Sequence, residues 1–117
     1  MKYAFLLYPH QNVRYRQSLA QLAERFPAAM LVYTMGSRGA CVYAGGKTYQ
    51  QAAYSVKAVD TTGAGDTFSG YYLAALCEGK DIPEALRLAA KAAAISVKRP
   101  GASASVPQRK EVEAWQA

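Results

Sequence analysis

Histidine and cysteine are scarce in this sequence. Its 117 residues include one histidine, His10, and two cysteines, Cys41 and Cys77. A single histidine argues against a histidine-based metal site and against a Ser-His-Asp triad. The two cysteines lie far apart, in no spacing typical of a metal or redox motif. We therefore expect two reduced, buried thiols in a cytoplasmic protein.

Long apolar runs are also missing. No stretch approaches the roughly 18 consecutive apolar residues that a membrane-spanning helix needs. The apolar start, Met1 to Tyr8, is followed by the polar stretch Pro9 to Arg16, where a signal peptide would have its cleavage site. We expect a strand there, and no membrane partner. No repeat or linker divides the chain, and 51% of its residues are apolar, so residues 1–117 are expected to form a single domain.

Acidic residues are few relative to basic ones. Eight Asp and Glu stand against 14 Lys and Arg, which gives a net charge of +6. Such a balance favours anionic partners in general. The cations are scattered, however, and the densest groups are only the pairs Lys98-Arg99 and Arg109-Lys110. A nucleic-acid surface usually clusters its charge and interleaves aromatic residues, so no nucleic-acid partner is expected.

The first half of the chain reads as strands with one helix. A helix is predicted to end before Pro27, because apolar residues recur at helical spacing from Tyr15 to Phe26. Gly45-Gly46 separates two strand-like runs and indicates a hairpin. The run from Ala29 to Met35 is typical of a parallel strand covered on both faces. The predicted strands are 2–8, 29–35, 40–44, 47–50 and 54–59.

The second half reads as helices. A stripe from Phe68 to Leu76 predicts a helix that Gly79 closes. Asp81 followed by Glu84 predicts the capping-box start of a second helix, and a short third helix is expected at about 108–115. The alanine-rich face of the second helix would let another element approach closely. Its predicted members are Ile82, Ala85, Leu86, Ala89, Ala92, Ala93 and Ser96. Strands followed by helices predict a layered α/β domain.

The stretch from Val59 to Phe68 carries the most chemical information. It reads as a strand end, a glycine turn and the start of a helix. Gly63 and Gly65 permit backbone angles closed to other residues and leave no side chain in the way. The first amides of the helix, with its dipole, would form an anion site. Asp66 in the first turn suits a general base beside that site.

A purely structural interpretation of this stretch stays open at this point. Aspartate, threonine and glycine before a helix are ordinary caps and turns. Two other phosphate-binding patterns do not match. The Rossmann pattern requires glycine where Phe68 stands, and in the P-loop pattern Gly-Lys is followed by Ser or Thr, whereas Gly79-Lys80 is followed by Asp81.

Three segments together resemble the PfkB, or ribokinase-like, carbohydrate kinase family. Val59 to Gly70 (VDTTGAGDTFSG) is similar to the family's C-terminal signature. Tyr33 to Ala40 (YTMGSRGA) is similar to its nucleotide-site strand and turn, and Ala89 to Pro107 (AAKAAAISVKRPGASASVP) to its terminal helix and following loop. The resemblance covers the chain from Met30 onward. It implies the C-terminal part of a ribokinase-like, Rossmann-like layered α/β fold, a sheet with flanking helices that is incomplete relative to the family.

The resemblance implies ATP-dependent phosphoryl transfer to a sugar hydroxyl. Asp66 would be the general base, and the turn from Gly63 to Gly65 the anion hole for the γ-phosphate. The cofactor-binding positions implied are Thr34, Gly36, Ser37, Arg38, Gly39, Gly63, Ala64, Gly65 and Ala90. Many members also hold a monovalent cation, usually K⁺, and the matching positions are Asp60, Thr62, Ser96, Arg99, Gly101 and Ser105. Each also has a local interpretation: Arg38 as a solvated turn residue, and Asp60, Thr62 and Ser105 as caps.

The sequence departs from the family in two ways. Family members are much longer, and their N-terminal part supplies the sugar-binding residues. The family's Asn-x-x-Glu motif for Mg²⁺ has no match near Asn12, because no acidic residue occurs before Glu24. Within the family, the start Tyr3-Ala4-Phe5 and the overall sequence of the core segments resemble fructosamine or fructoselysine kinases. An uncovered sheet edge and apolar face predict a homo-oligomer, or association with an N-terminal portion.

Two functions remain as alternatives to an active sugar kinase. One is a nucleotide-binding fragment without catalytic competence, or one half of a split kinase. The other is a nucleic-acid binder, which only the positive charge suggests.

Overall fold

The computed structural model describes residues 30–34, 38–60, 63–100 and 107–116. The predicted strand at 2–8 and the helix before Pro27 lie outside these residues. The described elements, in chain order, are β1 (Leu31–Thr34), β2 (Ala40–Ala44), β3 (Lys47–Gln51), α1 (Ala64–Cys77), α2 (Ile82–Val97) and α3 (Arg109–Ala114). None of these helices combines the length and apolar character needed to cross a membrane.

The described strands form an antiparallel sheet in the order β1-β2-β3. The predicted hairpin is confirmed: Ala44 pairs with Lys47 across Gly45 and Gly46, whose φ values are +57° and +79°. A two-residue turn with positive φ at both residues matches the right-handed twist of the two strands that it connects. Within the described sheet β1 pairs antiparallel, with β2, and the predicted parallel pairing of this strand is not tested by the described residues. Consecutive β1 residues are nonetheless buried, as expected for a strand covered on both faces.

Residues 54–59 do not form the predicted strand. The amide of Val59 instead donates to the carbonyl oxygen of Val97 at 2.7 Å, and the amide of Asp60 donates to the same oxygen at 3.0 Å. Val59 is 66% exposed. The alternating pattern here had suggested a half-buried strand, but this segment bonds to the end of a helix rather than to a strand.

Local chemistry sets the ends of α1 and α2. Gly79 follows α1 with φ +86°, and the amide of Lys80 donates back to the carbonyl of Ala75, which confirms the predicted glycine stop. Asp81 caps α2 by accepting the amide of Glu84 at 2.9 Å. Only this half of the expected capping box is present among the described contacts, because the Glu84 carboxylate accepts from Arg87.

The core lies between the sheet and the helices. Val32 and Val42 pair directly on β1 and β2 and belong to the same cluster as Phe68 and Tyr72 of α1. The helix α2 packs against α1, β3 and α3. Its buried residues are Ala85, Leu86, Leu88, Ala89, Ala90, Ala92, Ala94, Ile95 and Ser96. The predicted face is thus confirmed but too narrow, since α2 is buried around most of its circumference.

The two cysteines differ in exposure. Cys41 is fully buried in β2, as expected, whereas Cys77 is exposed, which corrects its prediction as a core residue. Cys77 is two positions beyond the buried Ala75, and two helical steps turn a side chain to the opposite face. Among the described residues, Val59 and Leu73 are the exposed large apolar side chains. An extended uncovered apolar face is therefore not found there, and the expected oligomer stays a prediction.

Candidate active site

The glycine turn and the start of α1 form the centre of the candidate site. Gly63 is the N-cap, with φ +80°. The amide of Thr67 donates to the Gly63 carbonyl oxygen at 2.9 Å and makes the first bond of the helix. The amides before it, from Ala64 to Asp66, have no acceptor within the helix. In the part of the chain that the structure describes, no side-chain cap bonds to this end. The turn places the first N–H groups of α1 at the positive end of its dipole.

Gly65 keeps the space in front of these amides open. The residue is exposed, and a Cβ added there would meet no atom of the described residues within 4 Å. Glycine is thus not required by packing at this position. A group that approaches the helix start would instead benefit from the missing side chain.

Asp66 lies in the first turn of α1 and is exposed. The structure therefore brings the turn and the predicted base together within one helical turn. The Asp66 carboxylate faces solvent here, so an incoming alcohol could reach it.

Thr67, which the sequence analysis did not single out, is buried directly beside Asp66. It is 4% exposed, and its hydroxyl has no hydrogen-bond partner in the part of the chain that the structure describes. A buried hydroxyl without a partner is uncommon in proteins. No sequence signal could have identified it, because threonine near a helix start usually reads as a cap.

The predicted nucleotide residues fall at the end of β1 and in the turn after it. Thr34 is half-buried at the end of β1, and Arg38 is exposed. Gly39 has φ +100°, and a Cβ there would overlap the carbonyl oxygen of Gln51. Gly39 therefore has a packing role of its own. Gly36 and Ser37 lie outside the described residues.

Ala90, predicted to line the adenine pocket, belongs to the core cluster and is 6% exposed. Its small side chain lies among other alanines of α2. The structure thus places Ala90 in the middle of α2, within the core cluster, where little of its surface is accessible to solvent.

Of the predicted cation positions, Asp60, Ser96 and Arg99 lie within the described residues, all near the end of α2. The bonds from Val59 and Asp60 to Val97 bring Asp60 next to this end, where Ser96 is fully buried. The Arg99 side chain pairs with Glu111. A guanidinium offers only donors, so only the carbonyl of Arg99 could bind a cation. Thr62, Gly101 and Ser105 lie outside the described residues. No group of three His, Cys, Asp or Glu able to hold a metal occurs within the described ranges.

Ion pairs tie α3 to the ends of both longer helices. Arg109 contacts both carboxylate oxygens of Glu78 at 2.7 Å, and Arg99 bonds to Glu111. The hydrogen bond from Arg109 holds the pKa of Glu78 below its usual range. The bonds from Arg99 and from the Gln108 amide likewise lower the pKa of Glu111. These carboxylates therefore stay ionised where the helices meet.

A small cavity of about 160 Å³ opens between α2 and α3. It is lined by Ile95, Lys98, Arg99, Glu111 and Trp115. Of the predicted site residues that the structure describes, Arg99 lines it and Asp66 does not, so this cavity differs from the helix start that carries Asp66.

The structure thus places the glycine turn and Asp66 at the start of α1, in the arrangement that the sequence predicted. The model of the pfkB family of carbohydrate kinases matches residues 8–109 of this chain. The chain belongs to this family.

Individual relatives agree with this assignment. Ribokinase of Bacillus subtilis is 43% identical over 82% of this chain, and the match covers 32% of that protein. Fructosamine kinase of the same organism is 42% identical over 65% of this chain and 27% of that protein. Arabidopsis thaliana ribokinase, solved with ribose and ATP, has a TM-score of 0.80 at 36% identity, covering 89% of this chain and 34% of its own. The chain thus spans about a third of the length of these relatives, and the ribokinase-like fold is established.

Proposed function

We propose that this chain forms the nucleotide-binding part of an ATP-dependent carbohydrate kinase. The observation that carries the proposal is the uncapped start of α1, where Gly65 leaves open space beside the exposed carboxylate of Asp66. Membership of the pfkB family supports the same chemistry.

The turn from Gly63 to Gly65 acts as the anion hole. Its amides and the dipole of α1 stabilise the charge that spreads over the γ-phosphoryl oxygens during transfer. The φ of +80° at Gly63 sets the direction in which these donors point. Donors held in a fixed direction avoid a reorganisation cost at the moment of reaction.

Asp66 acts as the general base. Its carboxylate accepts the proton of the sugar hydroxyl while the hydroxyl oxygen attacks the γ-phosphorus, and ADP leaves with the electrons of the broken P–O bond. The exposure of Asp66 leaves room for a sugar on its open side. The relatives named as ribokinase and fructosamine kinase support a sugar as the acceptor class.

The remaining predicted positions surround these groups. Thr34, Gly36, Ser37, Arg38, Gly39, Ala64 and Ala90 are proposed to border the nucleotide. Mg²⁺ bound to ATP would neutralise phosphate charge. Asp60, Thr62, Ser96, the carbonyl of Arg99, Gly101 and Ser105 are proposed to surround K⁺. The convergence of Val59 and Asp60 on the Val97 carbonyl supports this grouping, because it joins the two chain segments involved.

Alanine substitution at two exposed helical glycines tests the anion hole. A Cβ at Gly65 or at Gly70 meets nothing within 4 Å, so neither substitution should disturb packing. Alanine favours a helix over glycine by up to about 1 kcal/mol. We expect Gly65→Ala to weaken binding of a non-hydrolysable ATP analogue about tenfold, measured by calorimetry, because its methyl group blocks the helix start where the γ-phosphate would bind.

The Gly70→Ala variant is the matched control and should bind the ATP analogue like the unaltered chain. Both variants should keep or raise the thermal midpoint. Equal affinity for the ATP analogue in Gly65→Ala and Gly70→Ala would contradict the proposed anion hole.

Replacing Asp66 with asparagine tests the base. We expect Asp66→Asn to lower sugar-dependent ADP release by about 10²- to 10⁴-fold, with ADP affinity retained. An unchanged rate would remove Asp66 from the mechanism. ADP binding by the unaltered chain without sugar-dependent turnover would instead favour the alternative of a binding fragment or one half of a split kinase.

A further inference from the structure

A buried hydroxyl, that of Thr67, lies directly behind the start of α1. Thr67 is 4% exposed, and its Oγ1 is shielded from solvent. Across the described residues this oxygen makes no hydrogen bond. Side chains of a helix tilt towards its N-terminus, so the Thr67 side chain is directed back at the turn that Gly63 begins. A buried hydroxyl without a partner costs free energy, so its presence beside the anion hole requires an explanation.

A candidate acceptor for this hydroxyl is the carbonyl oxygen of Gly63. That oxygen accepts the amide of Thr67 at 2.9 Å. A carbonyl oxygen can accept two hydrogen bonds, so it has capacity for the hydroxyl of the same residue as well. Threonine in a helix adopts two χ1 rotamers, and one of them lets Oγ1 bond to a carbonyl four residues before. Rotation about one bond would therefore satisfy the Thr67 hydroxyl.

Ser69 makes this type of bond on the same helix. Its hydroxyl donates to the carbonyl oxygen of Gly65 at 2.9 Å, again four residues before it. That carbonyl shares a peptide group with the amide of Asp66. A hydrogen bond to the carbonyl polarises the peptide group, which makes its N–H a stronger donor. The Ser69 hydroxyl thus supports one N–H group at the start of α1.

We propose that Thr67 is a positioning residue of the anion hole, and that its hydroxyl donates to the Gly63 carbonyl oxygen when the γ-phosphate binds. This inference rests on the proposed function, which places the phosphate at the amides of this turn. The Gly63 carbonyl shares a peptide group with the amide of Ala64, so the new bond fixes and polarises that N–H towards the anion. The hydroxyl is unpaired in the described structure and paired in the bound state. Thr67 therefore favours the bound state.

Replacing Thr67 with valine removes the hydroxyl and keeps the shape of the side chain. We expect Thr67→Val to weaken binding of a non-hydrolysable ATP analogue about three- to tenfold, measured by calorimetry, because the bond gained on binding is lost. ADP has no γ-phosphate, so its dissociation constant should stay unchanged. The thermal midpoint should stay or rise, because valine leaves no buried hydroxyl unpaired.

Two further variants separate the hydroxyl from packing. Thr67→Ser keeps the hydroxyl and should bind the ATP analogue like the unaltered chain. Thr48→Val makes the same substitution as Thr67→Val at an exposed position of β3, and it should change neither affinity. Losses in Thr67→Ser as large as those in Thr67→Val would overturn the proposal, because the hydroxyl would then not be the cause.

The comparison of the two nucleotides separates positioning from a general defect. Equal losses of ADP and ATP-analogue affinity in Thr67→Val would contradict the proposal. A raised thermal midpoint with ATP-analogue affinity intact would also overturn it, since the unpaired hydroxyl would then be merely tolerated by the fold. Failure of the unaltered chain to bind the ATP analogue would instead count against the proposed function itself.

Discussion

Glycine residues serve three different physical purposes in this chain. Gly63 supplies a positive φ that turns the chain into α1. Gly39 combines a positive φ with a close approach to the backbone of Gln51 and Ala52. Gly65 has ordinary helical geometry and open space around its Cα. Conformation and packing explain the first two glycines, and neither requires glycine at position 65.

The close approach at Gly39 predicts a large loss of stability on substitution. Gly39→Ala combines left-handed strain with overlap at the Gln51 carbonyl, and we expect a loss of about 2–5 kcal/mol in the free energy of unfolding. Gly46→Ala carries only the strain, because a Cβ there meets nothing, and should lose about 1–2 kcal/mol. Denaturant titration of both variants measures the difference. Equal losses would show that the approach at Gly39 relaxes freely.

Residue-level sequence reasoning succeeded where the chemistry is local. Glycine at position 63 and aspartate at position 66 follow from the requirements of a turn and of a helix start. The burial of Thr67 and the contact of Arg99 with Glu111 depend on how α1, α2 and α3 pack, and no local pattern specifies that. The prediction for Cys77 failed for the same reason, since an apolar residue at the end of α1 can face either side.

At the scale of elements, glycine turn and cap signals predicted the structure better than did the alternation of apolar and polar residues. The Gly45-Gly46 hairpin and the Gly79 stop have positive φ angles that few residues other than glycine adopt, and both were predicted. Alternation at 54–59 requires a partner strand to become a strand, and this segment bonds to the end of α2 instead. The direction of β1 relative to its neighbour likewise depends on which strand it pairs with, and the local sequence does not specify that.

The tether between α1 and α3 predicts a pH dependence of stability. The pKa of Glu78 is lowered in the folded state by its bond to Arg109. Its contribution is therefore present above the ordinary glutamate pKa and is lost as the pH falls through the lowered value. We expect Glu78→Gln to destabilise the chain at pH 7 and to match the unaltered chain in strong acid, where both carry an uncharged group.

Urea unfolding at several pH values measures this effect. Glu113→Gln is the control, because Glu113 makes one contact of 3.1 Å with Arg109 rather than two of 2.7 Å, and it should change stability less. A difference between Glu78→Gln and the unaltered chain that persists in strong acid would contradict the electrostatic origin.

At the scale of the whole molecule, the family could be predicted from three segments of the sequence. The fold neighbours and the matched residues 8–109 confirm that prediction. The subgroup within the family was harder to predict from the sequence, because the relatives include both ribokinases and a fructosamine kinase. The residues that distinguish sugars are expected in the part of the family outside this match.

The alanines buried along α2 limit how this protein can evolve. Ala85, Ala89 and Ala92 have no exposed surface, and they lie on the helix that α1, β3 and α3 all contact. A larger side chain at any of these positions would push whole elements apart, since close-packed interiors accommodate added volume poorly. The simplest residues of the chain are therefore expected to be among its least replaceable, and random mutagenesis should recover fewer functional variants there than along the polar β3.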